Sequence, residues 1–379
     1  MTFPLEISTQ LLIDGAWVDV SGDVLQRDPL TITRGRSNED SQGDPSRCAL
    51  TLKNATGTYS PRNPAGTYYG FLGRNTPLRV LTPGGADTYL SVPGGVESYV
   101  STPDVAALGI TGDIDVRIDI TRDNWTPASA GTSSIPLAGK FGYVVHCSWS
   151  FYITNAGTLG FWWSSGGTFV GGLSAPSTVA VPATSTRLAL RATLDVNDGA
   201  GGLDLRFYTA PTIDGSWTQL GATVHAALTT SIFDSTAEIR IGGDTFRGVS
   251  APGDGFQGRI HAFELYSGIA GSLVADADFR ELDTVVPTFV DSEGLTWTFN
   301  GGAVVVDPNA RFHGEVAKFP PTWDTSGNDV ASPIEAAGVM RRLGQGQAAL
   351  KSVMYRGLTT VAESVVAYWP CEDTAGATE

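Results

Sequence analysis

Nowhere in the sequence does an apolar run approach the roughly 18 residues that a membrane-spanning helix needs, so no span is expected. Cysteine is nearly absent too. Cys48, Cys147 and Cys371 stand far apart and give neither a disulfide framework nor a Cys-x-x-Cys metal knuckle. They read as small buried residues of a chain that folds in a reducing cytoplasm. Residues 1–10 contain Glu6 and no basic start followed by an apolar core, so no secretory signal is expected there. Basic surplus is missing as well. A net charge of −15 argues against the phosphate-binding face that a nucleic-acid partner requires. The glycine-rich stretch 199–202 lacks a following Lys-Ser/Thr, so no phosphate loop is present. Runs of Ala, Glu, Lys and Leu, which favour long helices, are rare.

What is there points to β-structure. With 46 Gly, 21 Pro and only 17% charged residues, the composition suits many short strands joined by tight turns. A chain of 379 residues holds two or three ordinary domains and buries cores large enough to need no staple. Charge divides it. Residues 1–85 carry 8 basic and 8 acidic side chains, residues 86–306 carry 10 and 22, and residues 307–379 carry 6 and 9. The middle segment is chemically distinct from its flanks, as an independent module would be.

Period-two patterns place the strands. Asp14-Gly15 between the apolar runs 11–13 and 17–20 is a hairpin signal. Strands are also expected at 30–34 and 48–52, with a polar loop at 35–47. The proline-punctuated stretch 59–64 cannot be helix. In 113–121, Ile114, Val116, Ile118 and Ile120 face a core while Asp113, Asp115, Arg117 and Asp119 face water. Further strands are expected at 149–153, 159–163, 186–196, 203–209, 237–241, 259–266 and 295–299, which suits a sandwich or jelly roll. Residues 304–306 are expected to pair with 89–92, which brings the ends of a module spanning 84–306 together and makes it insertable. Beyond it, 312–319 reads as a strand. The stretch 334–343 is the best helix candidate, with an apolar stripe through Ile334, Ala337, Met340 and Leu343 and Ser332 as N-cap.

Several of these segments resemble known families. Ile32-Thr-Arg-Gly-Arg-Ser, Asp44-Pro-Ser-Arg-Cys-Ala-Leu-Thr-Leu-Lys-Asn, Gly57-Thr-Tyr-Ser-Pro-Arg-Asn-Pro and Gly73-Arg-Asn-Thr-Pro-Leu-Arg-Val resemble the N-terminal region of minor tail proteins of actinobacterial (Streptomyces-type) phages. Arg311-Phe-His-Gly-Glu-Val, Ala337-Gly-Val-Met-Arg-Arg-Leu-Gly-Gln-Gly and Ser352-Val-Met-Tyr-Arg are similar to the continuation of that domain. Between them, Val96-Glu-Ser-Tyr-Val-Ser-Thr-Pro-Asp and Phe256-Gln-Gly-Arg-Ile-His-Ala-Phe-Glu-Leu-Tyr resemble laminin-G-like, concanavalin-type jelly rolls. Ala367-Tyr-Trp-Pro-Cys-Glu-Asp-Thr-Ala-Gly looks like the opening of a second such module. The expected layout is a tail-hub-like β domain over 1–83 and 307–360, a jelly roll inserted over 84–306, and the start of a second one over 361–379. The fold class is mainly β with little helix.

Candidate functional residues fall into three sets. Trp149, Trp162 and Trp163 could stack against sugar rings, but neighbours along a strand point to opposite faces, so of Trp162 and Trp163 one is expected in the core and the other exposed or at a rim, and core packing of both is the reading favoured over sugar stacking. Asp195, Asn197, Asp198 and Asp204 cluster near a hairpin and could hold calcium, yet lack the full calcium-loop pattern and suit plain turn chemistry. Arg34, Arg36, Arg62, Arg74, Arg341 and Arg342 belong to the neutral flanks and are candidate subunit contacts, or simple surface charges. No catalytic residue emerges. Asp113, Asp115 and Asp119 could mimic a glycosidase carboxylate set, but Arg117 sits among them. His146, His225, His261 and His313 are isolated and read as structural.

The resemblance implies a structural, non-enzymatic tail-tip or baseplate component of the virion, assembled in the host cytoplasm. Its expected partners are other tail proteins, further copies in a trimeric or hexameric ring, and host cell-wall glycan. An acidic module suits neutral or cationic wall components better than teichoic acids. The alternatives are a secreted carbohydrate-active enzyme and a jelly roll that binds nothing.

Overall fold

The computed structural model describes residues 7–35, 44–82, 87–95, 97–125, 134–142, 145–243, 255–282, 287–323, 325, 330–338 and 340–341. The chain forms two compact units: Met1–Gly85 with Asn309–Glu379, and Ala86–Pro308. A β-rich host unit is thus interrupted by an inserted β-sandwich. Three antiparallel sheets account for both, and helix among the described residues is limited to two short 3-10 turns and residues 340–341.

The host unit is one curled sheet in the order Ala16–Asp19, Ser8–Ile13, Thr76–Leu81, Ala310–Val316, Val330–Ala337, Asp44–Lys53 and Thr31–Gly35, with Thr322–Trp323 beside Val330–Ala337. Asp14 and Gly15 both take positive φ (50° and 76°), the type I′ turn that the hairpin signal demands. Leu11, Leu50, Leu52, Leu78, Phe312 and Ile334 fill the core, and Cys48 is buried with them. From Asn54 to Tyr69 the chain advances in successive three-residue turns, with Gly57, Ser60, Asn63, Gly66 and Tyr69 each donating a backbone N–H three residues back. That conformation is what the prolines of 59–64 leave open.

The helix expected over 334–343 is not formed over 334–338. Val330–Ala337 is a strand held between Asp44–Lys53 and Ala310–Val316. Ile334 and Ala336 are buried while Pro333 and Glu335 are exposed, a period of two. Ser332 lies fully buried inside the strand and caps nothing. Pairing on both edges outweighs a weak local helix preference. Of the described residues in 334–343, only 340 and 341 are helical.

The inserted unit is a two-sheet sandwich. One sheet runs Thr218–Gln219, Leu203–Ala210, Arg187–Asp195, Ile114–Thr121, Gln257–Ser267, Tyr89–Pro93 and Val304–Val306, flanked by Val224–Ala226 and Ser272–Asp278. The other runs Leu173–Ala180, Thr158–Trp163, Cys147–Ile153, Ile135–Phe141, Ile239–Ile241, Tyr99–Thr102, Thr296–Asn300 and Thr288–Val290. Their inner faces share one core that contains Ile114, Val116, Ile118 and Ile120 from the first and Trp149, Phe151, Phe161, Trp163 and Trp297 from the second. Val304–Val306 pairs with Tyr89–Ser91, so the module's first and last strands are neighbours, as the sequence suggests.

Candidate functional site

Alternation within the second sheet decides which tryptophan reaches the outside. Trp149 and Trp163 are directly paired and lie in the core, stacked among Phe151 and Phe161. Core packing rather than sugar stacking is their role. Trp162 points the other way. On the outer face it meets Phe141 edge-on at 4.7 Å and is covered by Phe169, nearly parallel at 5.9 Å. Phe169 arrives on the turn after the strand, residues 164–172. A Cβ on Gly172 would sit 1.9 Å from the Trp162 ring, so only glycine lets the chain lie this close. The result is a surface aromatic stack with Phe169 half-exposed, beside Val170, which is 85% exposed, and exposed Val145 and Leu173. Contiguous apolar surface of this kind marks a binding face more often than chance.

The outer face of the first sheet is different. Asp115 and Asp119, expected to face water, are fully buried. Arg191 grips Asp115 with two N–H groups at 2.9 and 2.8 Å, and Arg117 adds a third at 2.9 Å. Tyr266 lies 4.1 Å under the Arg117 guanidinium and Tyr208 4.8 Å from that of Arg191. Asp119 accepts from Arg187 Nε at 2.9 Å and from the backbone N–H of Ile213 at 2.8 Å. The segment around Ile213 and Trp217 therefore folds over this face and shuts out the water that alternation alone would predict. Burial holds Glu264 above its ordinary carboxylate range, and Tyr266 is pushed up to about 12 for the same reason. Asp113 accepts from the Val196 backbone N–H at 2.8 Å, so all three carboxylates are structural bonds.

At the end of that sheet the proposed calcium set dissolves into turn chemistry. Asp195 accepts from Asn197 N, Asn197 from Gly199 N, and Asp198 from both Ala200 N and Gly202 N. Two members do converge on a third residue that sequence reasoning set aside. Asp198, Asp204 and His225 bring one ligand atom each within 4.8 Å of one another. His225 Nδ1 lies 3.0 Å from Asp204 Oδ1, and Arg206 Nη2 donates to Asp204 Oδ2 at 2.6 Å. An imidazole beside two carboxylates suits a transition metal rather than calcium. Residue spacing could not reveal His225, because it is brought in by the short strand Val224–Ala226 pairing with Leu203–Leu205.

In the host unit, Arg34 lines a cleft of about 500 Å³ together with Leu30, Ile32, Val80 and Arg311. Arg62 and Arg74 are exposed. Arg341 is not a surface contact: its guanidinium is mostly buried, donating to Glu315 at 3.1 Å and to Asn75, so it clamps the domain internally. Arg36, Arg342 and the stretch 361–379 lie outside the described residues. No helix among the described residues is long and apolar enough to cross a membrane.

No protein-family model matches the chain, and no curated protein does. Among solved structures, part of the chain is similar to the CBM40 module of Ruminococcus gnavus IT-sialidase. Its complex with α2,3-sialyllactose aligns at 17% identity and TM-score 0.30, covering 47% of this chain and 92% of that one. The complex with α2,6-sialyllactose aligns at 18% identity and TM-score 0.29, covering 47% and 93%. A third structure of the module gives 18% identity and TM-score 0.27, covering 47% and 92%.

Proposed function

We propose that this chain is a structural, non-enzymatic component of a phage tail tip whose inserted jelly roll binds host-surface glycan. The tail assignment is supported by the resemblance of residues 10–80 and 311–356 to actinobacterial minor tail proteins. The glycan assignment rests on one observation, the half-exposed Phe169 ring that lies over the buried Trp162 on the outer face of the aromatic sheet. Aromatic faces stack on the apolar faces of sugar rings, and the exposed valines and leucine around it extend the contact. The absence of catalysis is supported by the engagement of Asp113, Asp115 and Asp119 in structural bonds. Weak sugar contacts, repeated around a ring of tail subunits, add up to firm attachment.

Two measurements test this. Immunogold electron microscopy of intact particles, with antibody against residues 84–306, should label the distal end of the tail. Protein free in the lysate and absent from particles would return the secreted-enzyme reading. Retention of the full chain on purified actinobacterial cell wall should weaken about tenfold in Phe169→Ala, on the order of 1.4 kcal/mol. No retention of the unaltered chain would leave the jelly roll as a spacer.

A further inference from the structure

Strand register adds a second feature to the aromatic face. Trp162 is paired with Ser150, Ser150 with Gly139, Gly139 with Arg240, Arg240 with Ser101, and Ser101 with Thr298. These six residues form one straight row across six consecutive strands, perpendicular to the chain direction. All face outward, because their neighbours along each strand, such as Trp149, Phe151, Ile239, Ile241, Val100 and Trp297, are core. Five strand spacings make the row roughly 24 Å long.

The row is low between high banks. On one side Tyr152 follows Ser150 along its strand and Tyr99 precedes Ser101. On the other side stands the Phe141–Phe169 edge-to-face pair. Ser150, on the floor, is 8% exposed. A serine hydroxyl at this position on the outer face can exchange a water for a sugar hydroxyl. The single charge in the row is cancelled: Arg240 donates to Glu238 through Nε at 2.6 Å and stacks on Tyr99 at 4.2 Å.

We infer that this row is the floor of a trough that holds an extended, uncharged polysaccharide lying across the strands, with Phe169, backed by Trp162, stacking at one end. The inference deepens the glycan-binding reading and rests on it. The floor offers hydroxyl groups, a glycine gap and one neutralised guanidinium, a set that hydrogen-bonds sugar hydroxyls along a chain. It provides no unpaired cation to select an anionic terminal sugar. A length of 24 Å exceeds one sugar unit, so affinity should depend on chain length.

The test uses the full chain and the neutral polysaccharide fraction of actinobacterial cell wall, partly hydrolysed and sorted from one to eight sugar units, with affinity read by calorimetry. Affinity is expected to rise at least tenfold from the disaccharide to the hexasaccharide and then level off. Ser150→Trp, which fills the floor, should abolish the gain from length. Thr298→Trp, at the exposed far end and harmless to folding, should weaken the longest oligosaccharides while leaving the shortest ones unchanged. Equal affinity for short and long oligosaccharides, still lost in Phe169→Ala, would overturn the trough and leave the aromatic platform standing. Failure of every neutral fraction to bind would overturn both.

Discussion

On the outer face of the sheet built around Ile114–Thr121, Arg117, Arg187, Arg191 and Arg280 each hold a carboxylate, and Trp217 and Ile213 fold over them. On the outer face of the opposite sheet, Arg240 and Glu238 form an ion pair, and Phe169, Val170 and Leu173 meet solvent. Both faces belong to one sandwich over one core. The first ties its charges to one another beneath a covering segment, and even its unmatched atoms, Arg187 Nη2, Thr193 Oγ1 and His261 Nδ1, are buried out of a ligand's reach. The second keeps apolar area at the surface. Charge density is therefore a poor guide to the binding face in this module; exposed apolar surface is a better one.

The largest expected effect breaks the closed face. Asp115 is fully buried between Arg117 and Arg191, whose side chains are 16% and 14% exposed. Asp115→Ala strands the mostly buried Arg191 guanidinium and leaves Arg117 with Glu264 as its carboxylate partner, and should cost about 3–5 kcal/mol. The urea midpoint of the full chain measures it. Phe169→Ala, on the open face, should cost under about 1 kcal/mol in the same experiment while weakening wall retention. Equal stability losses at the two sites would erase the distinction between a structural and a binding face.

The next effect is a pH dependence carried by the closed face. His261 is held at the β-bulge of Gln257–Ser267, its Nε2 2.9 Å from Thr121 Oγ1. Burial, with Arg187 and Arg259 nearby, pushes it down to about 4, against the opposing pull of Asp119 and Asp87. The unfolded chain takes up this proton near pH 6.5, so between there and about pH 4 the unfolded state binds more protons. Stability should fall across that window as pH drops, by on the order of 3 kcal/mol. Glu264 and Asp276, both raised by burial, act in the opposite sense and favour the folded state as pH drops. His261→Gln therefore isolates the effect: its loss of stability between pH 7 and 4.5 should be smaller than that of the unaltered chain. Identical acid limbs would mean that His261 is not held neutral.

Much of this architecture is visible in residue order. Alternation identifies Ile114–Thr121 and its core side, and it separates Trp162 from Trp163 because period-two geometry leaves no choice. The pairing of Val304–Val306 with Tyr89–Ser91 follows from the need of an insert to close its ends. Other features depend on contacts that spacing does not encode. Alternation tells which side Asp115 and Asp119 take, not that a segment about ninety residues later will cover them. Leu173–Ala180 carries Pro176 and no apolar alternation, so it reads as a loop until Thr158–Trp163 pairs with it. Ile334 fits helical and strand spacing alike, and two flanking strands decide. The trough is illegible from order alone, because its six residues come from six strands and meet only through register.

The smallest expected effect lies at the end of the charged sheet and asks whether its self-sufficiency reaches the rim. Asp198, Asp204 and His225 have the donor types of a transition-metal site. Asp198 Oδ1 and Asp204 Oδ2 are engaged by Ala200 N, Gly202 N and Arg206, and of the atoms that converge, Asp204 Oδ1 and His225 Nδ1 already lie 3.0 Å from each other, a bond that an ion would have to displace. A site that loses its own hydrogen bonds on loading should be no tighter than millimolar. An ion at a concentration equal to its dissociation constant stabilises the folded chain by only about 0.4 kcal/mol. Millimolar zinc or calcium should thus raise the urea midpoint by no more than that, and a chelator should lower it by no more. A zinc-dependent rise near 2.7 kcal/mol, the value at a hundredfold excess over the dissociation constant, would show a cation site at this rim. Its disappearance in His225→Ala would locate the ion. That result would make the charged face a binding face as well and overturn its contrast with the aromatic one.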